Sequence, residues 1–147
     1  MATAGAPQPF SLEVRRTFNA PRERVFAAWT RAEELARWSA PAPMIVPTAE
    51  VDLRVGGRYR IVMQAPDGAR HRATGVYRVI DPPARLVYTW SWEDNAAVTD
   101  TLVTVEFHER GKTTEVILRH EILPSQAERD DHQKGWIGCL EKLATIV

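Results

Sequence analysis

The chain has 147 residues, and its 19 lysine and arginine residues are balanced by 19 aspartate and glutamate residues. A chain of this length is expected to form one domain that buries about two-thirds of the surface of its unfolded state. The balanced charge excludes the broad positive field of a protein that binds nucleic acid or anionic membranes without specificity. The single cysteine excludes an internal disulfide and indicates a reducing compartment, so we expect a cytoplasmic protein.

The N-terminal segment, residues 1–9, is rich in alanine, proline and glycine and is expected to be a flexible tail. It has neither the charged region nor the apolar core of a signal peptide. No apolar run in the chain approaches the length of a membrane span, so no membrane span is expected. A single folded domain is therefore predicted over residues 10–147.

The first predicted element is a half-buried strand over residues 10–18, where apolar and polar residues alternate. Arg16 falls on the apolar face, so it either needs a partner or marks a solvated end of the strand. The other side chains of that face are Phe10, Leu12, Val14 and Phe18.

Two short helices are predicted after this strand. Pro21 suits the first turn of the first helix. The spacing of Thr30 and Glu33 is typical of a capping box and predicts a second helix from Arg31. Several prolines between residues 41 and 47 then end the helical region, so the two helices are expected to form a V-shaped cap.

The central part of the chain, from Ile45 onward, consists of short alternating segments separated by turn residues. Gly56-Gly57 predicts a turn or bulge with positive φ, because no Lys-Ser/Thr pair follows it as in a phosphate-binding loop. Pro66-Asp67-Gly68 predicts a hairpin turn. Successive hairpins favour an antiparallel meander of about six strands.

The chain closes with a long predicted helix that the strands must cover. Ser125 and Glu128 have capping-box spacing, and apolar residues from Trp136 to Val147 recur with a period near 3.6. Gly135 and Gly138 each cost about 1 kcal/mol of helix propensity. They thin the helix either for close packing or to leave open volume. The side opposite the apolar stripe is expected to carry Glu128, Arg129, Asp130, Gln133, Lys134, Glu141 and Lys142.

Several motifs together resemble a known family. They are RTFNAPRERVFAAWTRAEELARW, DLRVGGRYRIVM, GVYRVIDPPARLVYTWSW, VTVEF followed by GKTTEVILRH, and GWIGCLEKL. From about Phe10 to Val147 the chain resembles the START/Bet v 1 (SRPBCC) superfamily, and more narrowly the activator of heat-shock-protein-90 ATPase homologue-like domain. One departure is Ser39-Ala40-Pro41 after Trp38, where the family usually has another Trp or Gly-Pro. The loop over the cavity mouth is therefore expected to differ.

The resemblance implies an α+β helix-grip fold. In this fold a curved antiparallel sheet of six to seven strands wraps around the long C-terminal helix, and two short helices follow the first strand. It also implies a cavity between sheet and helix, but not one function, because a fold hosts many kinds of site.

Twelve residues are candidates for the wall of that cavity. Large aromatic side chains can also fill a core, but buried Tyr hydroxyls and Trp N–H groups need partners that an amphipathic ligand supplies. The candidates are Trp38, Tyr59, Met63, His71, Tyr77, Tyr88, Trp90, Trp92, Phe107, His120, Trp136 and Leu140.

Signatures of catalysis are few. The four histidines lack the spacing of a metal site, and neither a metal nor a cofactor is predicted. His120, near the end of an inward-facing strand, is the one weak candidate for a general acid–base, and the alternative is a hydrogen-bonded core histidine.

Three functions remain open, and the first is favoured. The chain is a non-catalytic binding protein for a hydrophobic, aromatic small molecule; a cyclase, aromatase or hydrolase that uses a pocket His and Tyr; or a co-chaperone-like interaction module. A chaperone partner is less favoured, because the chain has no room for the additional N-terminal domain of the co-chaperone. Nucleic acid is not expected as a partner, and a weak homodimer is left open.

Overall fold

The computed structural model describes residues 10–147, so the predicted tail at residues 1–9 lies outside the described part of the chain. The described chain contains seven strands and three helices. They are β1 (Phe10–Phe18), α1 (Arg22–Thr30), α2 (Ala32–Trp38), β2 (Ile45–Val51), β3 (Arg58–Gln64), β4 (Arg70–Asp81), β5 (Arg85–Trp92), β6 (Thr101–Arg110), β7 (Thr113–Leu123) and α3 (Gln126–Ala144).

All seven strands form one antiparallel sheet in the order β1-β7-β6-β5-β4-β3-β2. Strands β2 to β7 pair with their neighbours in sequence, while α1 and α2 carry the chain from one edge of the sheet to the other. The register shifts in β1, β2 and β4, and irregularities of this kind bend a strand. The predicted α+β helix-grip architecture is confirmed.

The long helix α3 packs on β1 and β7 and touches α2. Its N-terminus is capped as predicted, since the Ser125 hydroxyl accepts a hydrogen bond from the Glu128 amide at 3.1 Å. The carboxylate of Glu128 does not complete the box, because its Oε1 lies 3.6 Å from His132 Nδ1.

The predicted cap of α2 is wrong. Arg31 occupies the N-cap position without a side-chain capping bond. The Thr30 hydroxyl instead donates a hydrogen bond to the carbonyl of Phe26, at 2.9 Å. Thr30 still lies in the last turn of α1, where a threonine hydroxyl can reach back four residues.

Strand β1 departs from simple alternation at two positions, Phe10 and Arg16. Phe10 is 40% exposed, because the pairing with β7 shifts register between Phe10 and Leu12. Arg16 is exposed, and its guanidinium lies 6.0 Å from the ring centroid of Phe18. The solvated alternative for Arg16 is therefore correct.

The turn predicted at Gly56-Gly57 is confirmed, with a φ of 84° at Gly56. No helix within residues 10–147 combines the length and the apolar character needed to cross a membrane.

Candidate ligand-binding site

A cavity of about 530 Å³ lies between strands β3 to β5 on one side and α2 and α3 on the other. Its walls are mostly apolar and strongly aromatic. The lining residues are Trp29, Leu35, Trp38, Ser39, Pro41, Met44, Tyr59, Ile61, Met63, His71, Tyr77, Tyr88, Trp90, Trp92, Glu128, Asp131, His132, Gly135, Trp136 and Cys139.

The strand wall is built from aromatic rings on neighbouring strands. The Tyr59 ring on β3 lies 5.6 Å from that of Tyr77 on β4 and 5.2 Å from that of Tyr88 on β5. The Tyr59 hydroxyl donates to the Thr89 carbonyl at 2.6 Å. This ring fits only because β4 has a glycine beside it: a Cβ at Gly75 would lie 1.9 Å from the Thr89 oxygen and 2.6 Å from the Tyr59 ring.

Helix α3 forms the opposite wall with residues spaced three or four apart, which is the spacing of one helix face. Its two glycines have different environments. A Cβ at Gly138 would lie 2.8 Å from Pro41 Cβ, whereas a Cβ at Gly135 would meet nothing within 4 Å. Gly138 therefore permits close packing, and Gly135 leaves open volume beside Trp136. The residues of this wall are Glu128, Asp131, His132, Gly135, Trp136 and Cys139.

The two short helices and the loop after them cover the cavity. Trp29 on α1 and Trp38 on α2 contact each other edge to face, with ring centroids 4.6 Å apart. Trp38 Nε1 donates to the Ala28 carbonyl at 2.9 Å. The loop is held to α3, because Lys142 Nζ donates to the Met44 carbonyl at 2.7 Å. All five tryptophans of the chain line the cavity.

Three polar groups in this aromatic wall keep an unused hydrogen. Within residues 10–147 the Tyr77 hydroxyl forms no hydrogen bond although the residue is only 2% exposed. The Tyr88 hydroxyl accepts from Trp29 Nε1 at 3.2 Å but donates to no acceptor in that range. Trp90 Nε1 is buried and has no hydrogen-bond partner among the described residues. Burial raises the pKa of both tyrosines, so their hydroxyls remain protonated donors.

Comparison with known families and structures identifies the fold. The sequence model of the family described as Activator of Hsp90 ATPase homolog 1-like protein (AHSA1) matches residues 19–147. The chain belongs to this family. The predicted resemblance is therefore confirmed, and the AHSA1-like fold is of the SRPBCC type.

Solved structures of similar proteins support the assignment. A protein from Chromobacterium violaceum is 28% identical with a TM-score of 0.87, over 93% of this chain and 96% of that one. The AHSA1 protein from Silicibacter pomeroyi is 27% identical with a TM-score of 0.83, over 92% and 96%. An HSP90 activator from Plasmodium falciparum is 26% identical with a TM-score of 0.74, over 92% and 94%. A search of curated proteins found no match.

Nine of the twelve predicted site residues line the cavity of this AHSA1-like domain. His71 is the most exposed of them by its side chain, at 50%, and lies at the mouth near Trp92. The nine are Trp38, Tyr59, Met63, His71, Tyr77, Tyr88, Trp90, Trp92 and Trp136.

The other three predicted site residues, Phe107, Leu140 and His120, are core residues outside the lining. Phe107 on β6 lies under α1, with its ring 5.2 Å from that of Phe26. Leu140 follows the lining residue Cys139 by about 100° around α3, which turns it into the core. Strand alternation identifies an inner face but cannot tell which part of that face a helix covers.

His120 is fully buried and its ring has a complete set of hydrogen bonds. Its Nδ1 accepts from Trp136 Nε1 at 3.1 Å, and its Nε2 is 2.8 Å from the Thr101 hydroxyl. The Thr101 hydroxyl donates to the Trp90 carbonyl, so His120 Nε2 is the donor to threonine. Burial lowers the pKa of His120 to about 3, and the neighbouring imidazole of His132 adds to this shift because it disfavours a second positive ring. This geometry is that of a neutral core histidine.

His132 is a polar residue on the cavity face of α3 that was not among the predicted site residues. His132 lies four residues before Trp136, so the helical period would have placed it on the apolar stripe. It is 8% exposed, with Nδ1 2.7 Å from the Glu128 carbonyl and Nε2 3.2 Å from Trp92 Nε1. Because the carbonyl can only accept and the indole N–H can only donate, His132 is neutral with its proton on Nδ1.

The remaining missed lining residues have simple reasons. Glu128 was predicted on the polar side of α3, and no cavity position was predicted for Asp131, but both residues line the cavity. The cap residues could not be placed without the tertiary fold. The missed cap, strand and helix residues are Trp29, Leu35, Ser39, Pro41, Met44, Ile61, Gly135 and Cys139.

Metal and thiol chemistry have no visible support in this site. Within residues 10–147 no group of three or more His, Cys, Asp or Glu side chains is arranged to hold a metal ion. Burial raises the pKa of the Cys139 thiol to about 12, so the nucleophilic thiolate is scarce at neutral pH.

Proposed function

We propose that the protein is a cytoplasmic binding protein for a hydrophobic, aromatic small molecule held in the cavity between sheet and α3. The observation that carries the proposal is the set of unused donors on Tyr77, Tyr88 and Trp90 in an otherwise apolar, aromatic wall. Trp90 Nε1 is a buried donor without an acceptor among the described residues, and such a donor costs about 1–3 kcal/mol. An oxygen acceptor or the face of an aromatic ring on a bound ligand would reduce this cost.

The size and shape of the cavity agree with such a ligand. Its volume of about 530 Å³ lies within the range of small-molecule sites, roughly 300–1,000 Å³. The rings of Trp90, Trp92 and Trp136 are arranged edge to face or tilted, with centroids 5.4 and 5.5 Å apart. Aromatic pairs of this kind contribute about 0.5–1.5 kcal/mol beyond burial, so an aromatic ligand would gain more than an aliphatic one.

A thermal-shift screen of the purified protein against hydrophobic aromatic compounds tests the proposal. A ligand at a hundredfold excess over its dissociation constant stabilises the folded state by about 2.7 kcal/mol. Because every tryptophan lines the cavity, the same ligand is expected to quench the intrinsic fluorescence. A screen in which no aromatic compound gives a saturable shift would contradict a binding function.

A substitution at Gly135 shows whether binding occurs in this cavity. Gly135→Leu places a side chain into the open volume beside Trp136 and should abolish the shift for ligands found with the native protein. Gly135→Ala is the matched control, since it also replaces the glycine in the helix but adds only one methyl group. Unchanged affinity in a folded Gly135→Leu protein would show that the ligand binds outside this cavity.

A second candidate is activation of an Hsp90-type ATPase. It is favoured by the family match and by the 26% identity to the HSP90 activator from Plasmodium falciparum. The test is the ATPase rate of a purified Hsp90 with and without a molar excess of this protein. No comparable observation favours the cyclase, aromatase or hydrolase alternative, since His120 does not line the cavity.

A further inference from the structure

Apart from the histidines, every side chain in the cavity wall that is charged at neutral pH is a carboxylate, so the wall carries negative charge. Among the lining residues of the described chain there is no lysine and no arginine, whereas Glu128 and Asp131 both contribute carboxylates. His132 is neutral by its hydrogen bonds. His71, when protonated, is matched by Asp94 outside the lining, 4.0 Å away.

These charged groups gather at one end of the cavity, together with an aromatic surface. Trp92 donates to His132, and Glu128 Oε1 lies 3.6 Å from the same imidazole. The His71 ring lies 6.3 Å from that of Trp92. Carboxylates beside indole rings attract a cation in two ways: through their negative charge and through the cation–π interaction with the rings.

We infer that the cavity opens at the same end of α3, because it meets the protein surface there. A shallow surface depression adjoins the cavity and shares Pro41, Asp131 and Gly135 with it. Asp131 is exposed there and forms no ion pair within residues 10–147, while Lys134 lines only the depression. A ligand that enters past Gly135 therefore passes an unpaired carboxylate.

We propose that the cavity selects hydrophobic aromatic ligands that carry a cationic amine and rejects those that carry a carboxylate. The aromatic body lies against Tyr77, Tyr88 and Trp90, whose unused donors mark the interior as a ligand site independently of the acidic mouth. The amine lies at the opening between Glu128 and Asp131. This inference rests on the proposed function and names its ligand class.

The acidic residues also have a structural alternative. They lie in the first two turns of α3, where the helix dipole favours negative charge whatever the ligand. That role predicts a loss of stability on neutralisation and no change in ligand preference. The inference predicts a change in preference.

Three fluorescent probes on one aromatic body separate these possibilities: pyrenemethylamine, pyrenemethanol and pyrenecarboxylic acid. Binding is followed by energy transfer from the tryptophans to pyrene at low salt. We expect the amine to bind about tenfold more tightly than the acid, with the alcohol between them, and added salt to narrow the difference. The double variant Glu128→Gln/Asp131→Asn should bind all three alike.

Asp130→Asn is the matched control. Asp130 neighbours Asp131 on the same helix, but it pairs with Arg129 at 3.1 Å and lies outside the lining. This variant should keep the preference for the amine. Loss of the preference in this control would overturn the assignment to Glu128 and Asp131.

The remaining outcomes are distinct. Equal binding of the three probes by the native protein, or tighter binding of the acid, would overturn the inference and leave the proposed function intact. Failure of all three probes together with the aromatic library would overturn the proposed function and this inference with it.

Discussion

At the scale of single residues, hydrogen bonding separates the buried polar side chains that only stabilise the fold from those that can bind a ligand. His120 is enclosed by Trp136, Thr101 and Trp90, and its ring makes hydrogen bonds through both nitrogens. Tyr77 is 2% exposed, and its hydroxyl has no hydrogen-bond partner within residues 10–147. A satisfied polar group stabilises the fold, whereas an unsatisfied one at a cavity wall is available to a ligand.

The buried His120 predicts a loss of stability in acid. Its pKa is about 3 in the folded protein and 6.5 when unperturbed. Between these values the unfolded chain binds a proton that the folded protein does not, so the free energy of unfolding falls as the pH falls through this window. Above it the stability is fully retained. At about pH 5 the loss from this group is about 2 kcal/mol.

Denaturant unfolding of the native protein and of His120→Gln at about pH 7 and about pH 5 measures this contribution. The native protein should lose about 2 kcal/mol more than the variant. His108→Gln, at a half-exposed histidine on the outer side of β6, should behave as the native protein. If His120→Gln does not fold, NMR titration of the native imidazoles replaces it. Titration of His120 near its unperturbed pKa would contradict the prediction.

At the scale of elements, α3 both closes the core and shapes the cavity. Its two glycines divide these tasks, since Gly138 packs against Pro41 and Gly135 borders open volume. A larger residue at Gly138 would therefore disturb the contact with the loop, and a large residue at Gly135 would fill the space beside Trp136.

The two glycines predict opposite effects of the same substitution. Gly135→Ala should stabilise the protein by up to about 1 kcal/mol, because it removes the helix penalty of glycine without a clash. Gly138→Ala should gain less or lose stability, because the new Cβ would lie 2.8 Å from Pro41 Cβ. Denaturant midpoints of both variants test this. Equal stabilisation by the two would mean that the loop yields without cost.

At the scale of the whole molecule, the seven-stranded sheet and α3 share one hydrophobic core. The aromatic cavity wall is continuous with that core, since Tyr59, Tyr88 and Trp136 belong to both. Cavity and fold should therefore be lost together.

This continuity predicts a single unfolding transition. Tryptophan emission reports the cavity and far-UV circular dichroism reports the sheet and helices, so the two signals should change at the same denaturant concentration. An emission change that precedes the loss of circular dichroism would show that the cavity opens as a separate unit, against the expected single domain.

The pattern of residues was sufficient for the elements and for most of the aromatic wall. Period-2 alternation identified the inner faces of β3 to β5, so Tyr59, Tyr88 and Trp90 were correctly placed. It failed for Phe107 because alternation does not tell which part of an inner face is covered by a helix. It failed for Phe10 because a register shift moved this residue out of the alternating pattern.

The sequence by itself determined the fold, the N-terminal cap of α3 and the aromatic character of the interior, because periodicity and hydrogen-bonding propensity are local properties of the chain. Only the tertiary structure decided which polar groups remain unpaired and which charges face the cavity. Tyr77 and Tyr59 look alike in sequence, yet only Tyr59 finds a carbonyl from β5. Likewise Glu128 and Asp131 lie in a polar stretch of the sequence, and only the packing of α3 places them in the cavity wall. Such pairings depend on contacts between distant segments, which no local pattern specifies.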